Sequence, residues 1–348
     1  MAYSTIINAG DYFNTKLYTG NGGNQTITGV GFQPDWAWFK SRDAGNSHAL
    51  VNALIGTDKV VYTDNNSAQQ TISTQTFNSD GYDLVQDAGA NSINSNGSTK
   101  VSWNWKLNGS GSANTAGSIN STVSANTTSG CSIVKWTGTA SNATVGHGLG
   151  IAPELVFYKY LTTSGWYVYA KHALGNNGAS GKVVVGFLEN TAAFTNDTGS
   201  FQSTDPSSTL LYIGGGANQS GENTAYCFAN VQGFSKMGSY IGNGSADGVF
   251  VYTGFKPAWV LIKRTNAAGD QWQLSDSKRG VNGAIKTLFP DSAEAEVSSD
   301  SIDFLSNGFK NRSSSVGRNG SGSTYIYAAF AESPFVSNVG ESLPTTAR

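Results

Sequence analysis

The stretch Gly31-Phe32-Gln33-Pro34-Asp35-Trp36-Ala37-Trp38-Phe39-Lys40 decides how this chain is to be read. A proline fits the first position of a strand, where its missing N–H costs no ladder bond. After it, Trp36 and Trp38 alternate with Ala37 and Phe39, so both faces are apolar, as in a strand buried on both sides. The closing lysine is expected to carry its charge to the rim. The stretch returns as Gly254-Phe255-Lys256-Pro257-Ala258-Trp259-Val260-Leu261-Ile262-Lys263, and more weakly as Gly150-Ile151-Ala152-Pro153-Glu154-Leu155-Val156-Phe157-Tyr158-Lys159. In all three copies the proline precedes the lysine by six residues. A turn aromatic, Tyr18, Trp136 or Tyr240, precedes the proline by 16, 17 and 17 residues. Self-similarity at a fixed period marks a repeat architecture.

Each copy closes on an aromatic strand, ending at Trp105, Phe228 and Phe330, which lie 71, 75 and 73 residues past the prolines. The expectation is an all-β chain of three tandem, jelly-roll-like β-sandwich repeats with little helix. The repeats are placed at 1–110, with a short N-terminal arm, at 125–232 and at 238–335, followed by a tail at 336–348. Asn108 to Gly130 has the composition of a flexible linker, within which Ser118–Val123 has the character of a short strand. The short junction Asn230 to Ser239 implies that the second and third repeats pack closely while the first is freer. In the closing strand Val101-Ser102-Trp103-Asn104-Trp105 the apolar residues are expected inward and the polar ones toward water. Only Ala49–Ile55 and Lys286–Phe289 have helical character.

Composition supports this class. Of 348 residues 43 are glycine and only 13% are charged, against usual values of about 7% and ~25%. With 11% aromatics, the chain is not of the disordered type. A formal net charge of −2 without a basic stripe argues against nucleic acid as a partner. No apolar run approaches the ~20 residues of a membrane span, and the opening Met1–Asn8 lacks the basic and apolar regions of a secretory signal. Cys131 and Cys227 are too few for a disulfide framework and are expected as buried thiols.

The chemistry-bearing residues give little support to catalysis. His48, His147 and His172 do not recur at equivalent positions, although His48 falls near the slot of Trp272 in the third copy. Asp270, Asp276, Asp300 and Asp303 would be the candidates for glycoside hydrolysis, which needs two carboxylates flanking one bond, yet no copy reproduces a pair. The run Asp291, Glu294, Glu296, Asp300 and Asp303 has the oxygen donors that calcium takes but not the order of a wrapping loop, and reads as solvated. Gly214-Gly215-Gly216 is a turn, since no Lys-Ser/Thr follows. Trp36, Trp38, Trp259 and Trp272 read as core. Trp166, Tyr167 and Tyr169 have aromatics on both strand faces, and are the candidates for contact with a glycan.

The strings Tyr18-Thr19-Gly20-Asn21-Gly22, Gly-Phe-x-Pro-x-Trp and Asp303-Phe304-Leu305-Ser306-Asn307-Gly308-Phe309-Lys310 resemble the repeat domains of structural and tail-fibre-like virion proteins of bacteriophages, particularly those of marine bacteria. The likeness runs from about Tyr18 to Phe335; the second copy departs most, having lost the Tyr-Thr-Gly-Asn-Gly turn and the tryptophan after the proline. The resemblance implies a concanavalin-like or laminin-G-like sandwich and a virion location, and supplies no catalytic residues. The expected function is a non-enzymatic fibre- or spike-like adhesion protein. The alternatives are a capsid decoration, head-fibre or tail structural protein, and a carbohydrate-binding module or depolymerase. Expected partners are other virion proteins, host surface glycans and copies of the chain itself, without cofactor, metal, nucleic acid or membrane insertion.

Overall fold

The computed structural model describes residues 4–72, 75–85, 93–173, 183–298 and 301–334. Among these the regular secondary structure is nearly all strand, with one 3-10 turn at Ala9–Asp11 and one helical turn at Val316–Asn319. Three large antiparallel sheets follow one another along the chain, of six, eight and six strands. Each is centred on a Pro-to-Lys strand hydrogen-bonded to its closing strand. The register is the same in all three: Trp36 lies opposite Trp105, Leu155 opposite Phe228 and Trp259 opposite Phe330.

Against one face of each large sheet packs a small one. Gln25–Ile27, Gly81–Leu84 and Thr76–Asn78 form the first, Ala143–Gly146 and Leu210–Ile213 the second, and Phe250–Tyr252, Gly308–Asn311 and Ile302–Leu305 the third. In the first pair Ala37 and Phe39 meet Ile27 and Tyr82 in one apolar cluster; in the second, Val156 and Tyr158 meet Val145 and Leu211. These are sandwiches with interdigitating inner faces.

The other faces of the large sheets do not meet water. Trp36, Trp38, Trp103, Trp105, Phe157, Phe228, Trp259 and Phe330 belong to a single apolar cluster drawn from all three sheets. Trp36 stacks on Trp105 with ring centroids 4.0 Å apart and lies 4.9 Å from Tyr226 of the second sheet. Phe330 lies 5.9 Å from Phe228 and 5.6 Å from Trp105, so the three closing aromatics converge. Ile6, Ala9 and Phe13 enter the same core, and the segment expected as an N-terminal arm is therefore one of its walls.

Backbone bonds close the three sheet pairs into a ring. Gln69 donates to the Leu161 carbonyl at 2.8 Å, Phe194 to Thr265 at 2.9 Å and Glu296 to Arg42 at 2.8 Å. The three acceptors each stand two residues past the repeated lysine. Each pair thus bonds the next, and the third returns to the first.

The shared core corrects several expectations. The first sheet pair is no freer than the others. The stretch from Asn108 is no linker: Ser112–Asn114 and Ser121–Asn126 extend the second sheet, which starts ahead of residue 125. Ala49–Asn52 and Lys286–Leu288 are strands rather than helices, because neighbouring strands supply their ladder partners. Ser102 and Asn104 do not face water: both are buried, Ser102 bonding the Tyr82 hydroxyl at 2.8 Å and Asn104 donating to the Asn14 carbonyl. The tail from 336 lies outside the described residues.

The cysteines lie on adjacent strands but on opposite faces of the second sheet. Cys131 stands opposite Phe228 in the shared core, while Cys227 stands opposite Ser132 and faces the sandwich interior. Both are free thiols. Burial pushes the Cys227 thiol up to about 12, leaving it unreactive as a nucleophile.

Candidate functional site

The repeated lysines turn inward. Lys40, Lys159 and Lys263 are all buried, contrary to the rim position that their place at the strand end implied. Each ammonium is satisfied by backbone carbonyls: Lys40 donates to Ala293 at 2.9 Å and to Ser41 at 3.1 Å, Lys159 to Ser164, and Lys263 to Asp270. Desolvation lowers Lys40 and Lys159 to about 8 and lowers Lys263 as well.

A carboxylate attends each lysine. Asp64, Glu189 and Asp291 accept from the backbone N–H of His48, Trp166 and Trp272 at 3.3, 2.9 and 3.1 Å. Burial raises all three acids, partly offset by the facing lysine. The side chain above each lysine then crosses to the neighbouring sheet pair. Trp166 Nε1 donates to the Tyr62 carbonyl at 2.7 Å and Trp272 Nε1 to that of Phe187 at 2.8 Å. His48 fills the third place, as its position near the Trp272 slot suggested.

His48 is fully buried. Its Nδ1 accepts from Trp38 Nε1 at 3.0 Å, which puts the proton on Nε2. Nε2 meets only the backbone of Phe289, without full hydrogen-bonding geometry. Burial, and then the charges of Lys40 and Arg279, push the imidazole well below its usual 6.5. The folded state therefore leaves it neutral, whereas the unfolded chain takes up a proton near ~6.5. The sign follows from that difference: stability is full above this pH and declines as pH falls through it, by up to about 1.4 kcal/mol per unit for this one group. Urea midpoints measured from pH 7.5 to 5 should fall more steeply for the native chain than for His48→Gln. Equal slopes would mean that this imidazole accepts a proton without opening the core.

Next to His48, the third and first sheet pairs are joined by a buried ionic cluster. Asp276 Oδ2 accepts from Trp103 Nε1 at 2.9 Å and from Arg279 Nε at 2.5 Å. The Arg279 guanidinium lies 5.4 Å from the Trp103 ring centroid and reaches Glu296 at 3.4 Å. Glu296 in turn takes a two-bond fork from Arg42, at 3.0 and 2.8 Å. Asp276 and Arg279 have no side-chain exposure, so these two groups bond only within the seam that joins the sheet pairs. The acids proposed for hydrolysis are committed in the same way: Asp270 pairs with Arg264 at 2.9 Å and Asp303 with Arg312 at 2.5 Å. Asp300 lies outside the described residues. Of the acidic run read as solvated, Asp291 and Glu296 are structural bonds instead. Among the described residues no group of three or more His, Cys, Asp and Glu is placed to hold a metal ion.

Two of the three aromatic candidates for glycan contact are not brought to the surface. Trp166 is 0% exposed and Tyr169 is 1% exposed, because the shared core covers one and the small second sheet the other. Tyr169 donates its hydroxyl to Asp205 at 2.8 Å, and half-buried Tyr167 packs 5.4 Å from Phe187. Of the three, only Tyr167 keeps some exposure. His147 is buried, with Nε2 3.1 Å from the Ser207 carbonyl, and His172 lies 2.7 Å from Glu154; the three histidines stay apart.

A motif that the reading of the repeats passed over explains their turns. Asn94, Asn218 and Asn319 each open an Asn-x-x-Gly string 11, 10 and 11 residues before the closing aromatic. All three are buried. Asn94 donates to Gly23 O at 2.6 Å, Asn218 to Ser141 O at 2.6 Å and Asn319 to Ser245 O at 2.8 Å, pinning the turn after the first strand of each copy. The turn glycines permit this approach. A Cβ on Gly20, Gly138 or Gly242 would stand 2.3, 2.1 and 2.3 Å from the carbonyl of the residue after the asparagine. The Tyr-Thr-Gly-Asn-Gly string is thus a packing device, and the second copy retains it through Gly138 and Asn218.

Two clefts among the described residues are open to solvent. One, of about 340 Å³, lies beside Val281 in the third sheet pair. The other, of about 370 Å³, lies at the seam of the first and second pairs, between Leu54 and the strands that extend the second sheet. Ala113, Thr122 and Lys135 form a cross-strand row on its wall, on the face opposite the sandwich core. Lys135 is paired with Glu222 at 2.8 Å. The Leu54 wall is fixed from behind: Asn52 Oδ1 accepts from the N–H of Leu54 and Ile55, while its amide donates to the Tyr226 hydroxyl at 3.0 Å.

Among the described residues no helix is long and apolar enough to cross a membrane. Neither the curated proteins nor the solved structures contain a match to the chain. One family model, described as a domain of unknown function, matches residues 8–334, and so spans all three sheet pairs and the N-terminal segment that enters their common core. With nearly its whole length covered by that one match, the chain belongs to the DUF7483 family.

Proposed function

We propose that this protein is a non-enzymatic component of a bacteriophage particle, fibre- or spike-like, whose outer surface contacts the host. The observation that supports this reading is the division of chemistry between inside and outside. The buried cluster of Asp276, Arg279, Glu296 and Arg42, with His48 beside it, is engaged in closing the ring, while the exposed turns are amide- and hydroxyl-bearing, such as Asn21 and Asn24, Thr139, Ser141 and Asn142, and Asn243 and Ser245. A rigid body with a low-charge polar exterior suits adhesion outside a cell. The burial of Trp166 and Tyr169 favours a second reading, a capsid decoration or tail structural protein, since sugar-stacking platforms are not on offer there. Adsorption of the isolated protein to host cells, with block of infection and no shortening of surface polysaccharide, is the expected result. Firm binding to purified capsids or tails without adsorption would leave the structural reading. Release of oligosaccharides would point to a depolymerase.

A further inference from the structure

We infer that the cleft between Leu54 and the Ala113–Thr122–Lys135 row is a binding site for a short, uncharged carbohydrate. This deepens the adhesion reading and rests on it.

Three observations carry the assignment. First, the cleft is where the chain departs from its own threefold plan. Ser112–Asn114 and Ser121–Asn126 extend the second sheet to eight strands, while the first and third have six. The motifs shared by the three copies are absorbed by closing the ring and pinning the turns. The added strands overhang the first sheet pair and create a hollow at that seam.

Second, the lining matches a polyhydroxylated ligand. Ser110, Thr122 and Thr137 bring hydroxyls and Asn120 brings an amide, so donors and acceptors both line the space. The one charge on the wall, Lys135, is neutralised by Glu222, which disfavours an ionic ligand. Leu54 and Ala113 supply the apolar patch that the C–H face of a sugar ring requires. At about 370 Å³ the cleft falls within the ~300–1,000 Å³ range of ligand sites.

Third, the walls are preorganised. Leu54 is held by Asn52, and Asn52 by Tyr226 of the neighbouring pair, while the opposite wall is a continuous ladder. A site whose walls are already ordered loses less entropy on binding.

The test uses the full chain. Methyl glycosides and disaccharides of glucose, galactose, mannose and N-acetylglucosamine are titrated by ligand-observed NMR. At least one should bind saturably. Thr137→Arg and Thr122→Arg, which fill the cleft from two strands, should each weaken that binding roughly tenfold or more, about 1.4 kcal/mol, at an unchanged thermal midpoint. Absence of saturable binding to every probe, or binding that survives in both variants, would overturn the site. Host-cell adsorption separates this from failure of the adhesion reading. Native and variant proteins that adsorb alike sink the cleft alone, whereas a native protein that does not adsorb sinks the reading on which it rests.

Discussion

Asp276→Ala is expected to destabilise the protein by about 3–5 kcal/mol, the loss typical when one member of a buried ion pair is removed. Asp276 is fully buried and makes four bonds. Its Oδ2 holds Arg279 Nε and Trp103 Nε1, and its Oδ1 takes the backbone N–H groups of Lys278 and Arg279, each at 3.0 Å. Truncation leaves the guanidinium of Arg279 with Glu296 at 3.4 Å and the Leu274 carbonyl at 3.2 Å. It also strands the indole N–H of Trp103 on the far side of the seam. The double replacement Asp276→Ala with Arg279→Met should recover part of the loss, because no charge is then buried alone. Urea unfolding of the native chain and the two variants measures both terms. A loss below about 1 kcal/mol for Asp276→Ala would place this cluster in the class of screened surface pairs and remove it from ring closure.

Trp259→Ala should cost a similar amount, roughly 3–5 kcal/mol for a buried aromatic, and the manner of unfolding matters as much as the size. Trp259 is 2% exposed and lies 6.4 Å from Trp38, 6.0 Å from Trp105 and 5.6 Å from Phe330, with Phe13 at 6.5 Å. Three of these neighbours, Phe13, Trp38 and Trp105, belong to the first large sheet. The cavity therefore weakens the joint between the first and third sheet pairs, and because Phe330 also meets Phe228 of the second, calorimetry should record one transition moved to lower temperature. Two transitions, of which only one moves, would mean that the pairs unfold as separate bodies and that the shared core contributes little to either.

Much of the site's framework was written in spacings, and what escaped did so for identifiable reasons. The lysines stood out because six residues of strand separate each from its proline, a distance set by the strand itself. Their carboxylate partners did not, since Asp64, Glu189 and Asp291 follow at 24, 30 and 28 residues across hairpins of unequal length. Asn94, Asn218 and Asn319 keep nearly constant distances to the closing aromatics, and the Asn-x-x-Gly strings were there to be seen. Glycine-rich turns are common enough, however, that a buried asparagine within one carries no mark of its burial. Trp166 and Tyr169 were drawn toward the surface by a strand with aromatics on both faces. That pattern signals two covered faces as readily as one covered and one binding face.

Local chemistry, legible in the sequence alone, determined the strands. Alternating aromatic and β-branched residues, a proline at the strand entrance and turns rich in glycine and asparagine specify an all-β chain, and the recurrence of these signals specifies the central strand of each of its three large sheets. Only the tertiary structure decided that the sheets share one core. A strand apolar on both faces requires two covers, but nothing in its pattern says whether the second cover comes from its own sandwich or from a neighbour. Nor could spacing place Lys40 inside, because one of the carbonyls that receive its ammonium, that of Ala293, arrives from the third sheet pair. Closure of the ring depends on contacts between residues more than 70 positions apart, and long-range pairing of that kind leaves no periodic trace along the chain.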